Sequence, residues 1–151
     1  MSRAHVLVRH YVPGTVAAVF AGFTEELFTR LSPSFPPTTL LRYDGNAVGD
    51  EVHIRLGVGP LNQRWISVIT AHTVGEDECS FVDEGRELPF PLTYWRHRHV
   101  VSAAGPGRVA ITEDVTFRTP TRLLTAVMQP VVRAQFEARG PAYAAYFSDE
   151  R

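Results

Sequence analysis

The stretch Leu92-Thr-Tyr-Trp-Arg-His-Arg-His-Val-Val101 decides how this chain is read. Trp95, His97 and His99 alternate in it with Tyr94, Arg96 and Arg98. Successive side chains of a β-strand point to opposite faces. One face therefore carries an indole and two imidazoles, and the other two guanidinium groups and a phenol. Arginines rarely enter a core unpaired, so their face is expected in solvent and the Trp-His-His face inward. Two inward histidines are either a hydrogen-bonded structural feature or the polar end of a binding site. The residues alone leave both open.

The neighbouring segments continue the period of two. Thr38 to Tyr43 reads as a strand ended by Asp44-Gly45. Glu51 to Val58 is the next, with Val52, Ile54, Leu56 and Val58 on one face. Gly59-Pro60-Leu61-Asn62 turns the chain into a long strand from Gln63 to Thr73. Ser80 to Gly85 follows an acidic turn, and Pro89-Phe90-Pro91 separates it from the Trp-His-His strand. Gly105-Pro106-Gly107 then leads into Arg108 to Arg118. These spacings suit a meander of antiparallel hairpins. Upstream, His5 to Tyr11 reads as a first strand stopped by Pro13-Gly14. Two short helices follow, Thr15 to Phe23 with Thr15 as N-cap, and Glu25 to Leu31. Downstream, Thr121 is placed to cap a long helix whose apolar stripe is Leu124, Val127, Met128 and Val131. Pro130 and Gly140-Pro141 are expected to kink it. The order predicts an α+β fold, with one C-terminal helix covering the concave face of a curved antiparallel sheet.

Composition narrows the function classes. A chain of 151 residues with 44% hydrophobic and 21% charged residues fits one soluble domain spanning 1–151 with a real core. A net charge of -1 gives no basic excess for nucleic acid. The one cysteine, Cys79, excludes an internal disulfide and suits a reducing compartment. No segment approaches the roughly 20 apolar residues of a membrane span. Met1 to His10 has no apolar stretch of signal-peptide length. A cytoplasmic protein, monomeric or homodimeric, is expected.

Three stretches carry a resemblance to a known family. They are Phe81-Val-Asp-Glu84, Tyr94-Trp-Arg-His-Arg-His99, and Glu113-Asp-Val-Thr-Phe117 followed by Pro120. With the element order, they resemble the START/polyketide-cyclase (SRPBCC) superfamily of helix-grip folds, in its bacterial ligand-binding, cyclase/dehydratase-like branch. The resemblance covers nearly the whole chain. It implies a seven-stranded sheet wrapped round the C-terminal helix, a deep cavity between them, and an apolar small-molecule ligand. It supplies no mechanism, because one fold hosts carriers, receptors and enzymes. The Gly140-Pro141 break departs from the simpler members.

Hairpin pairing with inner residues opposite inner residues sets His97 against Glu113, His99 against Ile111 and Trp95 against Val115. A slip of two residues would keep the same faces. Asp83, His97, His99 and Glu113 are then expected to cluster within an apolar surround of Trp65, Ile69, Phe81, Trp95, Val115 and Phe117, with Met128 from the helix. A histidine and a carboxylate with opposed pKa shifts suit general acid-base work. A cyclisation or dehydration needs a base, a donor to a carbonyl oxygen and a shaped dry cavity. His97 with Glu113 is the expected base pair and His99 the donor; Tyr94 suits that role poorly, being on the outer face. Such pairs also simply satisfy buried polar groups. No cofactor is expected. The four residues are metal-ligand types, but no metal motif accompanies them, so no metal is expected either. The first reading is an enzyme acting on an apolar or aromatic small molecule in polyketide-type secondary metabolism. The alternatives are a non-catalytic small-molecule or lipid carrier or sensor, and an interaction protein using the Arg96 and Arg98 face.

Overall fold

The computed structural model describes residues 2–33 and 36–148. Strand β1 (Ser2–Pro13) leads to α1 (Val16–Ala21) and α2 (Glu25–Leu31). Strands β2 (Thr38–Tyr43), β3 (Glu51–Leu56), β4 (Gln63–Val74), β5 (Glu78–Glu87), β6 (Tyr94–Ala103) and β7 (Arg108–Thr119) follow. The chain ends in α3 (Arg122–Glu137) and α4 (Gly140–Ser148). The strands form one antiparallel sheet in the order β1-β7-β6-β5-β4-β3-β2. It curves around the C-terminal helices, the expected α+β architecture. No helix among the described residues is long and apolar enough to cross a membrane.

Threonine starts each α-helix whose cap is seen. Thr15 Oγ1 accepts from Ala18 N, Thr24 from Leu27 N and Thr121 from Leu124 N. Each satisfies one amide that the first helical turn cannot. Pro130 lies within α3 without ending it. The break comes at Ala138 and Arg139, just ahead of Gly140-Pro141.

Three expectations need correction. The β6–β7 register is shifted by two: His99 faces Glu113, His97 faces Val115 and Trp95 faces Phe117. The shift preserves the inward and outward faces, so side-chain alternation cannot distinguish the two pairings. The tight loop decides instead, because Ala103 pairs with Val109 and both Gly105 and Gly107 take positive φ. Second, β3 ends at Leu56, and Gly57 turns the chain at φ 89. Val58 is consequently in solvent rather than on the β3 face. Third, the buried stripe of α3 is Thr125, Val132 and Phe136, with Met128 half-buried. Val127 and Val131 are 55% and 47% exposed. The edge strand β1 sets this rotation. Thr125 Oγ1, Gln129 Nε2 and Arg133 Nη1 donate to the carbonyls of Ser2, His5 and Leu7. Polar side chains at i, i+4 and i+8 must face that strand to cover carbonyls an edge leaves unpaired.

The core falls into two apolar clusters. One holds Val6, Trp95, Val115, Phe117, Val132 and Phe136. The other holds Val16, Leu27, Cys79, Val101, Val109, Ile111 and Tyr143. Along β7, Ile111 belongs to one and Val115 to the other. Glu113 stands between them on the same inner face, so the polar cluster is built at the seam of the two cores.

Candidate functional site

Glu113 is the centre of that seam and is 0% exposed. Its Oε1 accepts from His97 Nε2 at 2.7 Å. Its Oε2 accepts from Arg139 Nη1 at 3.0 Å and from the Tyr143 hydroxyl. Burial alone would raise the carboxyl's pKa, but the Arg139 charge and the His97 hydrogen bond outweigh it. The group is held well below the usual carboxylate range. The same surroundings push the Tyr143 phenol well up, first through burial and then through the Glu113 charge. Glu113 is therefore an acceptor only, and His97 must present Nε2–H to it. In the neutral ring the lone pair then lies on Nδ1.

His99 pairs with the other carboxylate. Its Nε2 lies 2.7 Å from Asp83 Oδ2, and the same oxygen is 3.6 Å from His97 Nδ1. The two imidazoles stack at 3.6 Å, and Phe81 stacks on the other side of His99 at 4.1 Å. Burial and the adjacent His97 lower the His99 pKa to about 4, despite the opposing pull of Asp83. Asp83 is lowered too: its burial is outweighed by the His99 hydrogen bond together with nearby positive charge, that of Arg139 included. At neutral pH His99 is therefore uncharged and gives its one N–H to Asp83. Its Nδ1 is buried without a hydrogen-bond partner among the described residues. Tyr94 lies on the outer side, its ring under the Arg118 guanidinium at 4.6 Å. The structure leaves neither His99 nor Tyr94 free to donate into the interior.

A cavity of about 210 Å³ opens against this cluster. Trp65, Ile69, Phe81, Asp83, Trp95, His97 and His99 line it, as do Val52, Ile54 and Leu56 of β3. Phe23, Leu27, Phe28 and Leu31 close it from the α1–α2 side, and Phe136 and Arg139 from the C-terminal helices. Glu113 does not reach the cavity; it sits behind His97. Val115, Phe117 and Met128 do not line it either. They pack in or against the neighbouring apolar cluster, with Val115 and Phe117 paired to His97 and Trp95 on the same inner face.

Arg139 and Tyr143 complete the cluster, and the sequence reading missed them. Counted from Phe136, they fall three and seven residues on, the inward phase of the helical run. The outward valines of α3 hid that phase. His10, to which the sequence assigned no role, fixes the same region by donating from Nε2 to Phe136 O at 2.9 Å. Asp83, His97 and His99 also offer metal-ligand atoms within 4.8 Å of one another. An ion there would have to displace the proton that His99 gives Asp83.

This electrostatic arrangement predicts how stability follows pH. The ordinary histidine value is 6.5, and the folded value of His99 is about 4. As pH falls, the unfolded chain binds that proton first. The His99 contribution is complete above 6.5 and is lost between 6.5 and 4, on the order of 3 kcal/mol. Asp83 and Glu113, held low, add to the loss as pH drops below their unfolded values of 3.8 and 4.5. Urea unfolding at pH 7 and pH 4 is expected to show this fall, and His99→Gln to flatten it. A stability independent of pH over that range would contradict a neutral, buried His99.

The fold has solved counterparts. The Zhui aromatase/cyclase of Streptomyces sp. R1128 superposes with a TM-score of 0.75 at 14% identity, over 97% of this chain and 94% of its own. Norcoclaurine synthase of Thalictrum flavum gives 0.70 at 11% identity, over 99% and 88%. A START superfamily protein of Mycobacterium smegmatis gives 0.70 at 9% identity, over 95% and 97%. No protein-family model and no curated protein matches the chain. The similarity is one of architecture: the chain has the START-like helix-grip fold.

Proposed function

We propose that this protein holds an apolar or aromatic small molecule in the cavity and moves a proton on it, as a cyclisation or dehydration requires. One observation carries the reading: His97 stands in the wall of a largely apolar cavity, with Nε2 anchored to a buried carboxylate and Nδ1 making no hydrogen bond among the described residues, 3.6 Å from Asp83 Oδ2. The base is His97 Nδ1. Glu113 is a positioning residue that fixes the ring and its tautomer. An imidazolium formed by proton uptake lies between Glu113 and Asp83, so the charge that develops meets two carboxylates. Ser67, which also lines the cavity, is the donor assigned to an enolate oxygen. Its Oγ already accepts the Trp65 indole N–H at 3.1 Å, which leaves its own proton to give. Two of the proteins sharing the fold are named as an aromatase/cyclase and a synthase, which supports enzymatic use of such a cavity.

The test is exchange of an α-proton. Naphthylacetone in deuterated buffer offers an aromatic body and a carbonyl with acidic C–H bonds, and needs no co-reactant. The protein is expected to speed deuterium incorporation saturably above the buffer rate. Saturable binding without exchange would favour a carrier; absence of both would remove the cavity reading altogether.

A further inference from the structure

Beside the cavity lies a groove of about 400 Å³ between the end of α2 and the α3–α4 break. Ser32, Gln135 and Arg139 line both spaces, so the two adjoin across these side chains. The groove wall carries two cations, Arg30 and Arg139, between the small side chains of Ala138 and Ala142. No acidic side chain lines it among the described residues. Arg139 spends Nη1 on Glu113 and Tyr143. Its Nε and Nη2 meet no acceptor among the described residues. Arg30 lies over the Tyr146 ring at 5.2 Å and touches Glu26 through Nη2 alone.

We infer that the ligand is amphipathic and anionic, its apolar or aromatic body in the cavity and an acidic head group, carboxylate or sulfonate in type, between Arg30 and Arg139. Two features support this beyond the charge count. A guanidinium offers a fixed fork of donors that matches a planar or tetrahedral oxyanion. The groove is also more open to solvent than the cavity, so a head group there keeps part of its hydration while the body is desolvated. The inference rests on the cavity being a ligand site and adds the class of molecule it takes. It further implies that the reaction supplying this molecule leaves a free acid on an apolar skeleton.

Two fluorescent probes test it. Anilinonaphthalene sulfonate and phenylnaphthylamine share the same aromatic body, and only the first is anionic. Arg30→Gln is expected to weaken the sulfonate by about five- to tenfold, in the range of a charge-assisted hydrogen bond, and to change phenylnaphthylamine by less than about twofold. Ala138→Glu, which places a carboxylate beside the groove, is expected to do the same. Raising salt should weaken the sulfonate alone. If both probes respond equally to the substitutions, or neither responds, the anionic head group is wrong. If phenylnaphthylamine binds and the sulfonate does not, the head group is wrong and the cavity reading survives. If neither binds the native chain, the cavity reading falls with it.

Discussion

Glu113→Ala is expected to destabilise the fold by about 3–5 kcal/mol. The carboxylate is wholly buried and accepts from three donors: His97 Nε2, Arg139 Nη1 and the Tyr143 hydroxyl. Its removal leaves the Arg139 guanidinium, whose side chain is only 18% exposed, without a counter-charge. It also leaves two further donors facing a void. Paired removal separates this from simple loss of volume. Glu113→Leu with Arg139→Met takes away both charges and keeps the space filled, so it should cost much less than either change alone. Urea unfolding at pH 7 measures all four states of the cycle. A loss below about 1 kcal/mol for Glu113→Ala would mean that the guanidinium finds water or another partner, and that the cluster is not organised around Glu113.

His97→Gln is expected to lower α-proton exchange by about a hundred- to ten-thousand-fold, the usual contribution of a positioned general base. Glutamine is close to histidine in size and can still donate to Glu113, so the wall and the buried network are kept. It has no nitrogen lone pair to take a proton. Binding of phenylnaphthylamine should stay within about twofold of the native value, which places the loss on the chemical step and not on occupancy. Equal losses in binding and exchange would make His97 a wall residue and no base.

How far the sequence reached follows from what periodicity can see. Alternation along β5, β6 and β7 separated inner from outer residues, so Asp83, His97, His99 and Glu113 were brought together from alternation and strand pairing. Alternation has no means of detecting a slip of two, and the pairing came out opposite Val115 instead of Glu113. The His97–Glu113 contact survives because long side chains reach the diagonal neighbour across a strand pair. On α3 the stripe came out rotated, because Val127 and Val131 look like core residues while Thr125, Gln129 and Arg133 look like surface. The need to cover the edge of β1 reverses that reading, and it is visible only once β1 is known to be an edge. The same rotation concealed Arg139 and Tyr143. The assignment of Val115, Phe117 and Met128 to the cavity failed for a different reason. An inward residue can face either the void or the packed apolar cluster beside it, and sequence does not say where one gives way to the other.

The central claim is that His97 presents an unprotonated Nδ1 to whatever occupies the cavity. NMR of isotope-labelled histidine nitrogens tests it most directly, recorded at neutral pH with and without naphthylacetone. A proton is expected on His97 Nε2 and none on Nδ1, with His99 neutral and its proton on Nε2, and a saturable change at His97 Nδ1 as the ligand is added. A His97 ring protonated on Nδ1 and bare on Nε2, or a ligand that binds while both histidines keep their resonances, would contradict it.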